Sequence, residues 1–245
     1  MEKNAKNIEI LRSFRRNMGA ELTQEMIEYI FEGNRSELEP SSVLRKKIDY
    51  VKENINRFMV LNWVKFIAVT GSYAAGTNKK KDDIDLFIVV KNDRMWLYRG
   101  LMAINPFLRG RFRRKSSRDL KDTFCLNLIS EERGLTFESD IFNFHELYFM
   151  RPVYNSTYMN TILIKNAWVR NFGGYFNQTV SDVSDNIRGR SMVFRIIETI
   201  AFLSQLLFMV VTKHKPDIKR LLANNRKGRI EFFDEGFKEN VLEYK

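Results

Sequence analysis

Asp83 and Asp85, with Ile84 between them, are the residues of this 245-residue chain whose types and spacing point most directly to chemistry. They open an apolar run, Leu86 to Val90, that reads as a buried strand. Side chains alternate between the faces of a strand, so both carboxylates share one face and Ile84 points to the other. Two carboxylates at the mouth of a buried strand are costly to desolvate unless a cation offsets them. Magnesium ions holding a nucleoside triphosphate supply that cation in the usual case. Upstream, Phe66-Ile67-Ala68-Val69 reads as a second short strand and leads into Thr70-Gly71-Ser72. Gly71 carries no side chain, so phosphate oxygens can approach its backbone closely. Small residues follow (Ala74, Ala75, Gly76) and suit a brief helical turn, with the Ser72 hydroxyl and nearby N–H groups at its start.

Gly71-Ser72 after a strand, ten intervening residues, and then Asp83-Ile84-Asp85 on the next strand form one ordered pattern. The pattern resembles the DNA polymerase beta-like nucleotidyltransferase superfamily. The resemblance is specific over Phe66 to Val90, suggestive at Asn127 and vague in the flanks. It implies an α+β fold: a small mixed β-sheet core, preceded by N-terminal helices and followed by a helical C-terminal domain. It also implies transfer of a nucleoside monophosphate from a nucleoside triphosphate to an acceptor, with release of pyrophosphate. In that chemistry Asp83 and Asp85 are the catalytic, metal-holding residues for Mg²⁺ or Mn²⁺. Gly71 and Ser72 cradle the phosphates, and Asn127 lines the nucleotide pocket.

Asn127 marks a departure. Thr123 to Ile129 reads as a third strand, where the superfamily normally supplies a third carboxylate, and Asn127 is the polar residue at that place. Asparagine can offer a carbonyl oxygen to a metal, but it carries no charge and cannot act as a base. Three arrangements stay open: two carboxylates with a weaker second metal, help from Asp122, Glu138 or Asp140, or nucleotide binding without transfer. Bacterial nucleotidyltransferase-like proteins of unassigned substrate resemble this chain here, with a Cys-Leu-Asn strand after the Asp pair. Cys125 itself reads as a small buried apolar residue, since no His or second Cys is placed to pair with it.

The surrounding elements must position these groups. Residues 1–60 read as an N-terminal helical segment, 61–150 as the nucleotidyltransferase core and 151–245 as a helical C-terminal domain. Ile8, Ile10, Leu11 and Phe14 recur at helical spacing, and Ser41 or Ser42 can cap the next helix from Val43 to Phe58. Arg94 to Leu108 reads as a helix ending near Pro106, with Trp96 and Tyr98 as packing residues. Arg109 to Arg118 holds six basic residues and no acid, and suits either a phosphate-contacting loop or a solvated connection. Residues from Ser139 or Asp140 to Met150 read as a helix containing His145 and Glu146, the latter solvated or paired. A zinc site is not expected, because the chain has two His and neither lies near the Cys. Met192 to Thr212 is the most apolar stretch. Its charge-free part, Thr199 to Thr212, has fourteen residues, short of the roughly 20 a bilayer requires. It therefore reads as a buried core helix.

Composition sets the outer bounds. A hydrophobic share of 44% argues for a packed globule, and a net charge of +11 for an anionic partner. A single Cys suits a reducing compartment, and the charged start, Met1 to Lys6, is unlike a signal peptide. A cytoplasmic location, a nucleoside triphosphate and an unidentified, possibly anionic acceptor are the expectation. No membrane span is expected, and nucleic acid stays open as a partner. Two rival readings are a catalytically silent nucleotide-binding module and a nucleic-acid-binding protein acting through Arg109 to Arg118.

Overall fold

A computed structural model describes residues 2–32, 41–76, 82–105, 123–173, 191–212 and 217–231, apart from the side chain of Asn127 and a few at helix ends. Among these residues the chain forms α1 (Glu2–Asn17), α2 (Gln24–Glu32), α3 (Ser42–Glu53), β1 (Val64–Val69), α4 (Gly71–Ala75), β2 (Ile84–Val90), α5 (Met95–Ile104) and β3 (Phe124–Glu131). There follow α6 (Ile141–Phe149), β4 (Arg151–Tyr154), α7 (Tyr158–Lys165), α8 (Met192–Val211), α9 (Ile218–Lys227) and β5 (Arg229–Glu231). The basic run Arg109 to Arg118 and the apolar residues of the tail beyond Glu231 lie outside the described residues.

The described strands make one mixed sheet in the order β4-β1-β2-β3-β5. β1 runs antiparallel to β2 and to β4, β2 runs parallel to β3, and β5 closes the edge antiparallel to β3. The fold is thus α+β, with the sheet built around the two strands that carry the Gly-Ser turn and the Asp pair. Both of those strands read as near-continuous apolar runs because helices cover both faces. Phe66, Ala68, Phe87 and Val89 pack with α1, α2, α6 and α7 on one side. Ile67, Val69, Leu86, Ile88 and Val90 pack with α3, α5, α8 and α9 on the other. The alternation follows the strand's period of two.

Local signals set most of the boundaries. Ser41 caps α3, its hydroxyl accepting from Leu44 N–H, and Asp217 caps α9 through Arg220 N–H. α6 ends at Phe149, just before Arg151-Pro152, and the chain continues as β4, which pairs with β1 at the sheet's edge, where a proline is tolerated. Trp96 and Tyr98 are fully buried in α5, with the Tyr98 hydroxyl donating to Phe58 O.

α8 departs from expectation. It is not a buried core helix: among its residues Glu198, Phe202 and Met209 are buried, while Ile196, Ile200, Leu203 and Leu207 are each more than half exposed. Apolar composition all around a helix does not say which stripe meets the body. Here that stripe is narrow, and it packs on α5. By length and composition alone α8 is apolar enough to cross a membrane.

Glu198 anchors α8. Its carboxylate accepts from the backbone N–H groups of Trp96 and Leu97, in the first turn of α5. Burial raises its pKa from an ordinary 4.5 to about 7, the two backbone donors opposing the rise. The unfolded chain therefore releases this proton first, and stability falls as pH rises from about 4.5 to about 7. Thermal melts across that window should show the decline in wild type and a flatter profile in Glu198→Gln, which keeps an acceptor but cannot ionise. Parallel profiles for the two proteins would refute the assignment.

Candidate functional site

The site begins where β1 ends. Thr70 N–H donates to Asp85 O at 2.9 Å, which pins the turn after β1 against β2. Gly71 then takes a left-handed φ of +66°. A Cβ at this position would collide with the Asp85 carboxylate, so the backbone can fold over the acid only because the side chain is missing. α4 is a single short helix closed by Gly76, also left-handed, whose N–H returns to Ser72 O and Tyr73 O. The Ser72 hydroxyl donates to Asp82 Oδ2 at 3.1 Å, and the Tyr73 hydroxyl to Asp82 O at 3.1 Å. The turn is tied to the segment that delivers the Asp pair.

Asp83 is buried and Asp85 half-buried at the start of β2. In the parallel ladder Asp85 pairs with Cys125, whereas Phe87 pairs with Leu128. β3 therefore holds one residue more than β2 over this interval, an irregularity of the bulge type. The result places Cys125 beside the acids. The carboxylates of Asp83 and Asp85 and the thiol of Cys125 each present a ligand atom within 4.8 Å of the others. The expectation for Cys125, a small apolar residue without a partner group, is corrected on this point. Ladder register, which no sequence spacing reveals, brings it to the site.

This donor set fits a divalent ion. Two carboxylates suit Mg²⁺ or Mn²⁺, while a thiolate adds affinity for softer ions than Mg²⁺. Of the other residues considered for the third position, Glu138 pairs with Lys227 at 2.6 Å. Asp140 caps α6, accepting from Asn143 N–H at 2.7 Å. Asp122 and the side chain of Asn127 lie outside the described residues. Gly71, Ser72, Asp83 and Asp85 are thus gathered in one place, with Cys125 added.

Glu146 is the site neighbour that sequence reasoning left as an ordinary helix residue. It is 10% exposed, and its Oε2 accepts from Gly71 N–H at 3.2 Å. Its other oxygen lies 3.9 Å from His145 Nδ1, and His145 Nε2 lies 3.4 Å from Arg15 Nη1. A guanidinium only donates, so Nε2 accepts and the neutral ring carries its proton on Nδ1, towards Glu146. Burial pushes the His145 pKa down, which keeps the ring neutral. Arg15 also donates to Ala75 O at 3.1 Å, at the far end of α4. One chain of polar contacts therefore runs from α1 through α6 to both ends of α4. No local signal could have found it, because the Glu146–Gly71 contact spans 75 residues.

Residues 44–141 match the family model described as Nucleotidyltransferase domain. Over that span the chain is similar to the nucleotidyltransferase domain of the DNA polymerase beta-like superfamily. The matched span runs from α3 to the first residue of α6 and holds the glycine turn, the Asp pair and Cys125. Comparison with curated proteins and with solved structures gave no match. Arg15 and Glu146 reach the turn of this domain from outside the matched span.

Two outcomes test this geometry. Gly71→Ala should destabilise the fold by about 1–3 kcal/mol in denaturant titration, because the turn must twist away from Asp85. A stability equal to wild type would contradict the close approach. Cys125 is the chain's single cysteine, so its alkylation is unambiguous. Mn²⁺ should slow that alkylation in wild type, and not in Asp83→Asn/Asp85→Asn. A rate indifferent to metal in wild type would place the thiol outside the ion's reach.

Proposed function

We propose that this chain transfers a nucleoside monophosphate from a nucleoside triphosphate to an acceptor, releasing pyrophosphate. The observation that carries the reading is the Asp83–Asp85 pair lying directly beneath a glycine turn that continues into Ser72. In this reaction an acceptor oxygen bonds to the α-phosphorus as the bond from that phosphorus to the pyrophosphate oxygen breaks. The acceptor's proton passes to a base. Asp83 and Asp85, with Cys125 beside them, would hold a divalent ion, which would supply charge neutralisation at the phosphates. Ser72 and the amides of α4 receive the β- and γ-phosphates. The Gly71 amide is already engaged by Glu146, so the carboxylate must swing away for that N–H to join them. The net charge of +11 favours an anionic acceptor. A reducing compartment such as the cytoplasm suits a working thiol at the site.

A second reading has specific support. Among the described residues a thiol, not a third carboxylate, stands beside the Asp pair, and an acid occupies the amide that phosphate would use. Both features suit a domain that binds nucleotide without transferring it.

One experiment separates the readings. Each of the four α-labelled ribonucleotides is incubated with the protein, Mg²⁺ or Mn²⁺, and a cell lysate as the acceptor source. Label transfer and pyrophosphate release by wild type, with loss of at least a hundredfold in Asp83→Asn and Asp85→Asn at unchanged fold, is the expected result. Metal-dependent nucleotide binding with no transfer would favour the silent module. Full activity in either variant would remove the metal assignment.

A further inference from the structure

α8 is fastened to the body along one side only. Phe194 meets the ring of Trp63 at 6.3 Å, Phe202 meets Trp96 at 4.9 Å, and Gln205 donates to Trp96 O at 2.7 Å. On the opposite side Val193, Ile196, Ile200, Leu203, Leu207 and Val210 are exposed at 63%, 54%, 60%, 54%, 64% and 51%. Their spacing alternates three and four residues over the whole helix, with no break. That 3.5-residue repeat is the seam of a left-handed helix pair, in which each side chain enters a hole formed by the facing helix.

We infer that α8 pairs with α8 of a second copy of this chain, forming a two-fold symmetric dimer. Three observations select this occupant. The exposed apolar side chains keep a three-and-four spacing along the full helix, a register that two copies of it share when they pair side by side. The exposed side of α8 carries one charge, Arg195, whereas helices that lie on membranes line their polar flank with Lys and Arg. The positions flanking the seam, Ile197, Thr199, Ser204 and Val211, are uncharged, so two identical stripes meet without like-charge repulsion. The six seam residues alone expose on the order of 600 Å² per copy, and the apolar flanks bring this towards the roughly 800 Å² that one partner of a stable complex contributes. Symmetry makes the patch self-complementary, each residue of the seam meeting its counterpart's neighbourhood.

Sedimentation equilibrium of the full chain tests the pairing. Wild type should sediment at twice the chain mass at micromolar concentration. Leu203→Glu/Leu207→Glu should sediment at the chain mass, weakened by about a hundredfold or more, with its helical circular dichroism retained. Should that variant misfold, Leu203→Cys on a Cys125→Ser background gives an independent reading, a disulfide between copies under mild oxidation. A wild type that stays monomeric overturns the inference, as does a dimer indifferent to the glutamates. So does a monomer that co-sediments with vesicles of phosphatidylserine and phosphatidylcholine, which would assign the face to a bilayer.

Discussion

The close approach of the Gly71 backbone to the Asp85 carboxylate is the constraint on which the rest of the site depends. It requires a residue without a Cβ, a left-handed backbone, and a β1–β2 ladder tight enough to bring the turn over the acid. An acid held this near a turn of backbone amides is poised for a divalent ion and the phosphates that ion would bridge. Every element around it can be read as a support for that contact. β1 and β2 are buried on both faces, which leaves them little freedom to shift.

The contacts that hold this turn from behind are polar and long-range. Arg15, His145 and Glu146 join α1, α6 and α4 in one buried chain that ends on the Gly71 amide. Buried polar groups of this kind are expensive unless each finds a partner, and a chain of partners holds its members in one arrangement. The N-terminal helix is therefore part of what orients the glycine turn, although the match to the nucleotidyltransferase domain begins after it, at residue 44. The carboxylate of Glu146 thus already occupies the first amide of the turn.

The thiol beside the Asp pair changes the chemistry open to the ion. Oxygen donors alone leave Mg²⁺ and Mn²⁺ similarly placed, while sulfur shifts preference away from magnesium. The arrangement arises from an irregularity in β3, where one extra residue between Cys125 and Leu128 resets the ladder. Bulges re-aim side chains at functional sites in just this manner.

The order of apolar runs, the Gly71-Ser72 turn and the Asp83-Ile84-Asp85 alternation were legible in the sequence, because strand periodicity and the freedom of glycine are local properties. The resemblance these residues carry implied the mixed sheet, and the structure gathers the turn with both acids. The caps were equally local, read as Ser41 or Ser42 and as Ser139 or Asp140, and the structure selects Ser41 and Asp140. Tertiary structure alone decided which face of α8 met the body, since an apolar helix offers no chemical contrast between its sides. It also decided that Cys125 stands opposite Asp85 and that Glu146 reaches Gly71. Those contacts depend on ladder register and helix docking, which bring together residues whose sequence separation carries no periodic signal.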